Sequence, residues 1–86
     1  NVSMPAARDE TAWIVIPLYN EEAVIGDVVV ELLEHFANVV CIDDGSRDGS
    51  AAAAAAAGAR VVRHPHNLGQ GAALQTGIEY ARAQPG

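Results

Sequence analysis

The feature that most constrains this chain's fold is a pair of short apolar runs, Trp13 to Ile16 and Val39 to Ile42, each ending abruptly in polar residues. Neither run is broken by a polar side chain. Both are β-rich, the pattern of a strand buried on both faces of a parallel sheet. The first is followed by Pro17-Leu18-Tyr19-Asn20-Glu21-Glu22 and the second by Asp43-Asp44-Gly45-Ser46-Arg47-Asp48-Gly49-Ser50. Polar clusters therefore gather at the carboxyl ends of two successive strands, where open α/β sheets bind their ligands. That placement predicts a nucleotide-type ligand.

The intervening segments alternate with these strands. Ile25, Val28, Val29, Leu32 and Phe36 recur at helical spacing, with Asp27, Glu31, Glu34 and His35 largely on the other face, and Asn38 reads as a stop. Glu21 and Glu22 suit the positive end of that helix. Ala51 to Ala57 read as a second helix, with Ser50 as its N-cap and Gly58 as its C-cap. Arg60-Val61-Val62-Arg63 reads as a third, edge strand. His64 to Leu68 are expected to form a solvated loop. A third helix is expected over Gly69 to Ala83 with Leu74, Gly77, Ile78 and Ala81 inward, before Gln84-Pro85-Gly86 breaks it. Phe36 and Tyr80 read as core or near-surface packing. Right-handed crossovers then give an α/β, three-layer, Rossmann-like half-domain with parallel strands in the order 3-2-1. The inner edge of the first strand is left without a partner, which leads to the expectation that the chain is the front portion of a larger protein.

Composition narrows the classes. The chain has 86 residues, a formal charge of -6, five arginines and no lysine. That balance argues against a nucleic-acid footprint or a polybasic membrane patch. It leaves room for phosphorylated ligands held by a few local donors. Cys41, the only cysteine, lies inside the second apolar run and reads as a buried structural thiol, so no intramolecular disulfide forms and a reducing compartment fits. No segment reads as a signal peptide or a membrane span. Residues 1–11 read as a loose lead-in.

Taken in order, the segments around Ile14-Val15-Ile16-Pro17-Leu18-Tyr19-Asn20-Glu21-Glu22, Asp43 to Ser50, and His66-Asn67-Leu68-Gly69-Gln70-Gly71-Ala72-Ala73-Leu74-Gln75-Thr76-Gly77 resemble the family-2 glycosyltransferases of the GT-A fold. They are closest to the polyprenyl-phosphate mannosyl- and glucosyltransferase branch. The resemblance runs from about Trp13 to Ala83. It implies that residues 12–86 are the N-terminal nucleotide-binding part of such a domain, ending before the strand that carries an Asp-x-Asp motif. It further implies a UDP- or GDP-sugar donor and a polyprenyl-phosphate acceptor at the cytoplasmic face of the membrane. Mg or Mn is implied as the metal, with its main ligands outside this chain. No catalytic residue falls within the chain, so it is expected to be inactive alone. The alternative is a catalytically inert half-domain that self-associates through the edge of the first strand.

Asp44 leads the candidate site residues, because a carboxylate at a strand end can accept the ring N–H of uracil or guanine. Adjacent residues at a strand end point to opposite sides, so one of Asp43 and Asp44 is expected to serve the following turn instead. With these two, the resemblance implies donor contacts from Pro17, Tyr19, Asn20, Glu21, Ile42 and Gly69. Asp48 is expected to organise its loop or to cap the alanine helix. Gly69-x-Gly71-x-x-Leu74 lacks the third glycine of a dinucleotide fingerprint, so tight packing with Asn67 as cap is the leading reading there. His64-Pro65-His66 has no further ligand cluster beside it, which argues against a metal pair. A receiver-like signalling domain is set aside because the chain has no lysine.

Overall fold

The computed structural model describes residues 8–85. The elements run β1 (Asp9–Leu18), α1 (Glu22–Leu33), β2 (Phe36–Asp43), α2 (Ser50–Ala56), β3 (Arg60–Arg63) and α3 (Gln70–Arg82). The sheet order is β1-β2-β3 and both pairings are parallel, as the sequence predicts. Ile14 lies opposite Val39, Leu18 opposite Asp43, and Asp43 in turn opposite Arg63.

Alternation along β2 divides the core into two layers. Val39 and Cys41 face α1 and α2, packing with Leu18, Ile25, Val29 and Ala54. Val40 and Ile42 face α3, packing with Ala73 and the half-buried Trp13, Val15 and Tyr80. The continuous apolar runs have this cause: each strand residue meets a helix, whichever way it points. Burial also pushes the Cys41 thiol up to about 11, which keeps it protonated and inert.

Several boundaries differ from the sequence expectation. β1 starts at Asp9, so Asp9 to Thr11 belong to the sheet; residues 1–7 of the expected lead-in lie outside the described residues. The Asp9 carboxylate accepts from the Thr11 and Ala12 amides across an irregular register before Trp13. Phe36 and Asn38 belong to β2, because α1 stops at Leu33 and the chain turns to pair Phe36 with Asp9. Phe36 continues the helical spacing from Leu32 by coincidence of position. Ser50 is the first residue of α2 and Gly49 its cap.

Helix phase differs too. The buried stripe of α1 runs through Ile25 and Val29 to Leu32 and Leu33, leaving Val28 41% exposed. In α3, Ala73 and Gly77 face the sheet, while Leu74 and Ile78 are each 43% exposed. Small residues win the inward face because α3 lies so close to β1. A Cβ built on Gly77 would sit 2.1 Å from Val15 Cγ1.

That contact yields a stability test. Gly77→Ala forces Val15 or the helix to move and is expected to destabilise by about 1–3 kcal/mol. Gly26→Ala, in α1 with open space around it, is expected to be neutral or to stabilise by up to about 1 kcal/mol. Urea midpoints of the two variants check the pair, and equal midpoints would mean that α3 does not depend on this approach.

Candidate functional site

At the carboxyl end of the sheet, the β1–α1 and β2–α2 loops are laced into one unit by side chains that bind the other loop's backbone. The Asn20 amide donates to Ser46 Oγ at 2.9 Å, and the Arg47 amide donates to Asn20 Oδ1 at 2.9 Å. Asn20 holds a left-handed φ of 50°, a conformation that asparagine tolerates better than most residues. The Glu21 amide donates to Ser50 Oγ at 2.7 Å, and the Glu22 amide to Asp48 Oδ2 at 3.2 Å. In return the Gly49 amide donates to Glu22 Oε1 at 3.0 Å. Asp48 Oδ1 also takes the Ser50 amide and hydroxyl, so it serves both its own loop and the start of α2.

The two strand-end aspartates point to opposite sides of the sheet. Asp43 is fully buried; its Oδ1 accepts from the Ser46 amide at 3.1 Å. Arg63 Nε stands 3.1 Å from Asp43 Oδ2, an ion pair without the alignment of a hydrogen bond. Asp44 turns towards α3 and is 5% exposed. Its Oδ1 accepts from His64 Nδ1 and from the Leu68 amide, each at 2.9 Å, and its Oδ2 from the Gly69 amide at 2.8 Å. His64 Nε2 lies 2.8 Å from Thr76 Oγ1 on α3. These contacts hold the Asp44 carboxyl below its ordinary value, the His64 bond foremost and the Leu68 amide next, against the opposing effect of burial.

Gly45 lets the third loop close onto the second. Its φ is +81°, and an added Cβ would fall 2.7 Å from the His66 carbonyl carbon. The β3–α3 loop therefore sits directly on the turn that follows Asp44.

The structure gathers most of the expected residues at this end. Tyr19, Asn20 and Glu21 are exposed on the first loop, Tyr19 by 43%, and Asn20 and Glu21 line a pocket with Val24 and Asp48. Pro17 is half-buried in β1 opposite Ile42. Ile42 is different: its side chain is wholly buried against α3, so it supports the site from within the core. The Gly69 amide is shared between Asp44 Oδ2 and Asn67 Oδ1. His64 is only 9% exposed and belongs to the site, where the sequence suggested a solvated loop. A signal for it exists in the register. Arg63 pairs with Asp43, so one step beyond both strands His64 stands beside Asp44. A separate pocket, around Trp13, Arg60 and Arg82, lies at the opposite ends of the strands and touches none of these residues.

A three-stranded parallel α/β sheet with its loops gathered at the carboxyl edge is consistent with part of a GT-A glycosyltransferase domain. The sequence matches Glycosyl transferase family 2 over residues 13–84, and the chain belongs to that family. It is 43% identical over 71 residues to the glycosyltransferase AglJ of Haloferax volcanii, covering 81% of this chain and 23% of that protein. It is 30% identical over 86 residues to a dolichyl-phosphate beta-glucosyltransferase of Trichomonas vaginalis, covering 81% of this chain and 26% of the relative. Among solved structures, glucosyl-3-phosphoglycerate synthase from Mycobacterium tuberculosis superposes with a TM-score of 0.68 at 30% identity, over 90% of this chain and 30% of that one. The chain thus spans about a quarter to a third of the length of these relatives.

The Asp44 contacts predict an acid-dependent contribution to stability. A carboxylate whose native pKa is depressed stabilises the fold fully above its ordinary value of 3.8, and this is lost as pH falls through the lower native value. Asp44→Asn is therefore expected to be less stable than the wild type at pH 7, with the gap closing below about pH 4. Urea midpoints across that range test this; a gap as wide at pH 3 as at pH 7 would show that Asp44 acts by shape alone.

Proposed function

We propose that this chain forms the donor-nucleotide-binding part of a glycosyltransferase that moves a hexose from a UDP- or GDP-sugar to a polyprenyl phosphate at the cytoplasmic face of a membrane. The observation that carries the reading is the meeting of three loops at one strand end. Asp44 is held there by His64 and the Leu68 and Gly69 amides, at the same end of the sheet as the exposed Tyr19 and Glu21, in a chain of this family. The acceptor rests on resemblance and on relatives: the Trichomonas protein is named for dolichyl phosphate. No helix among the described residues is long and apolar enough to cross a membrane.

In this proposal the chain binds and aligns the donor. Asp44 accepts a ring N–H of the base, Tyr19 lies against the base or ribose, and Glu21 accepts from ribose hydroxyls. Asn20 and Gly69 shape the crevice through their loop bonds, and Pro17 sets the path of the chain out of β1. Asp43 holds the second loop. A phosphate acceptor is already anionic and needs little general-base help, so alignment of donor and acceptor carries much of the rate. A divalent metal, Mg or Mn, would stabilise the leaving diphosphate when bound. In this proposal, as the family resemblance implies, the metal's main ligands lie outside this chain.

An amide-resolved NMR titration with UDP and GDP, each with Mg²⁺ and with NAD as control, tests the proposal. Shifts confined to Tyr19–Glu22 and Ile42–Gly45 are expected, and Asp44→Ala should weaken binding by about tenfold or more. A folded sample silent towards both nucleotides would sink the reading. It would favour the second one, an inert self-associating half-domain. That alternative is supported by β1, which among the described residues pairs on one side only, and by the exposed Leu74 and Ile78. It predicts a mass that rises with concentration in sedimentation.

A further inference from the structure

We infer that the cleft at the amino ends of the strands is a second ligand site, which takes the phosphate group of a small phosphorylated polyol. The cleft measures about 500 Å³, and Trp13, Arg60, Arg82, Gln84 and Glu10 are among its lining residues. That is the size of a small-molecule pocket. It lies at the other end of the sheet from the three loops, so it stands independently of the donor reading.

Arg60, the first residue of β3, is braced on two sides. Its guanidinium carbon lies 5.4 Å from the centre of the Trp13 ring, a cation–π contact. Trp13 is itself packed edge to face on Tyr80, with 5.7 Å between ring centres. Arg60 Nη1 donates to Tyr80 Oη at 3.2 Å and to Gln84 Oε1 at 3.4 Å. Gln84 is anchored in turn, its Nε2 donating to the Tyr80 carbonyl at 3.1 Å. These bonds occupy one corner of the guanidinium. Nε–H and Nη2 have no protein acceptor among the described residues. Together they form the fork that grips two oxygens of one anion.

Acids outnumber arginines eleven to five in this chain, so an arginine has ample carboxylates to pair with. Yet among the described residues the ion pairs are Arg63–Asp43 and His64–Asp44, and neither Arg60 nor Arg82 joins one. Arg82 sits in the last turn of α3, where it also offsets the negative end of the helix. Two unpaired guanidinium groups in one cleft match a phosphate monoester, which carries close to two negative charges at neutral pH. A carboxylate ligand would answer only one of them. The Tyr80 hydroxyl, accepting from Arg60, still has its own proton to give. A lone phosphate would fill only part of the cleft. Glu10 lines it too, and a carboxylate that only accepts suits hydroxyl groups and repels a second anion. One phosphate on a small polyol meets both demands.

The test is an NMR titration of the chain with glycerol 3-phosphate at constant ionic strength, with inorganic phosphate, glycerate and glycerol as comparisons. Saturable shifts are expected at the Arg60 Nε–H, the Trp13 indole N–H and the Gln84 amide, with glycerol silent. Glycerol 3-phosphate should bind at least about threefold more tightly than inorganic phosphate. No saturable shift at these groups, or shifts confined to Tyr19–Glu22, would overturn the site. Inorganic phosphate binding as well as glycerol 3-phosphate would strike out the polyol, and glycerate binding as well would strike out the phosphate. Arg60→Lys keeps the charge and loses the fork, and is expected to weaken binding by about tenfold. Unchanged affinity in that variant would mean that charge alone draws the anion and that the fork has no part. Should Arg60→Lys not fold, Arg82→Gln is expected to weaken binding by about fivefold, and unaltered binding there decides against a two-arginine site.

Discussion

The Asp44 carboxylate is the contact on which the arrangement of the carboxyl end depends. Through three hydrogen bonds it joins the end of β2 to His64, just beyond β3, and to the Leu68 and Gly69 amides before α3. The Gly69 amide has a second acceptor in Asn67 Oδ1, whereas the Leu68 amide bonds to Asp44. Charge-assisted bonds to backbone amides are strong and directional. They fix a loop that has little apolar surface of its own. Gly45 makes the closure possible by letting the backbone of the third loop rest against the second.

The first and second loops solve the same problem by another route. No single group dominates there. Instead Asn20, Ser46, Ser50, Asp48 and Glu22 each bind an amide, and most of those amides belong to the opposite loop. Together the two devices leave a surface whose shape is set by backbone contacts. Beneath it lie the two apolar layers either side of β2, which are thin on the α3 side because Ala73 and Gly77 bring that helix close.

How much of this was legible follows from the range of each interaction. The strands, their parallel order and the position of the polar clusters rest on local pattern, and the sequence expresses them directly. Phe36 misled because a helical period and a following strand can share a residue at the right spacing. Leu74 and Ile78 misled for a different reason. Hydrophobicity points inward by default, yet the close approach of α3 to Val15 gave the inward face to Ala73 and Gly77. The opposed directions of Asp43 and Asp44 were readable from strand alternation. The partners of Asp44 lie 20 to 25 residues away. They required the β2–β3 register, which no local pattern contains.

The lacing of the loops has a consequence for how this surface can change over time. Its frame is made by side chains that grip main-chain amides, and the groups exposed above it, Tyr19 and Glu21 among them, have no part in holding that frame through their side chains. The two sets of residues can therefore vary under separate pressures. The outward side chains can be exchanged while the scaffold beneath keeps its stability. Changes to Asn20, Ser50 or Asp44, by contrast, must be judged first as changes to folding.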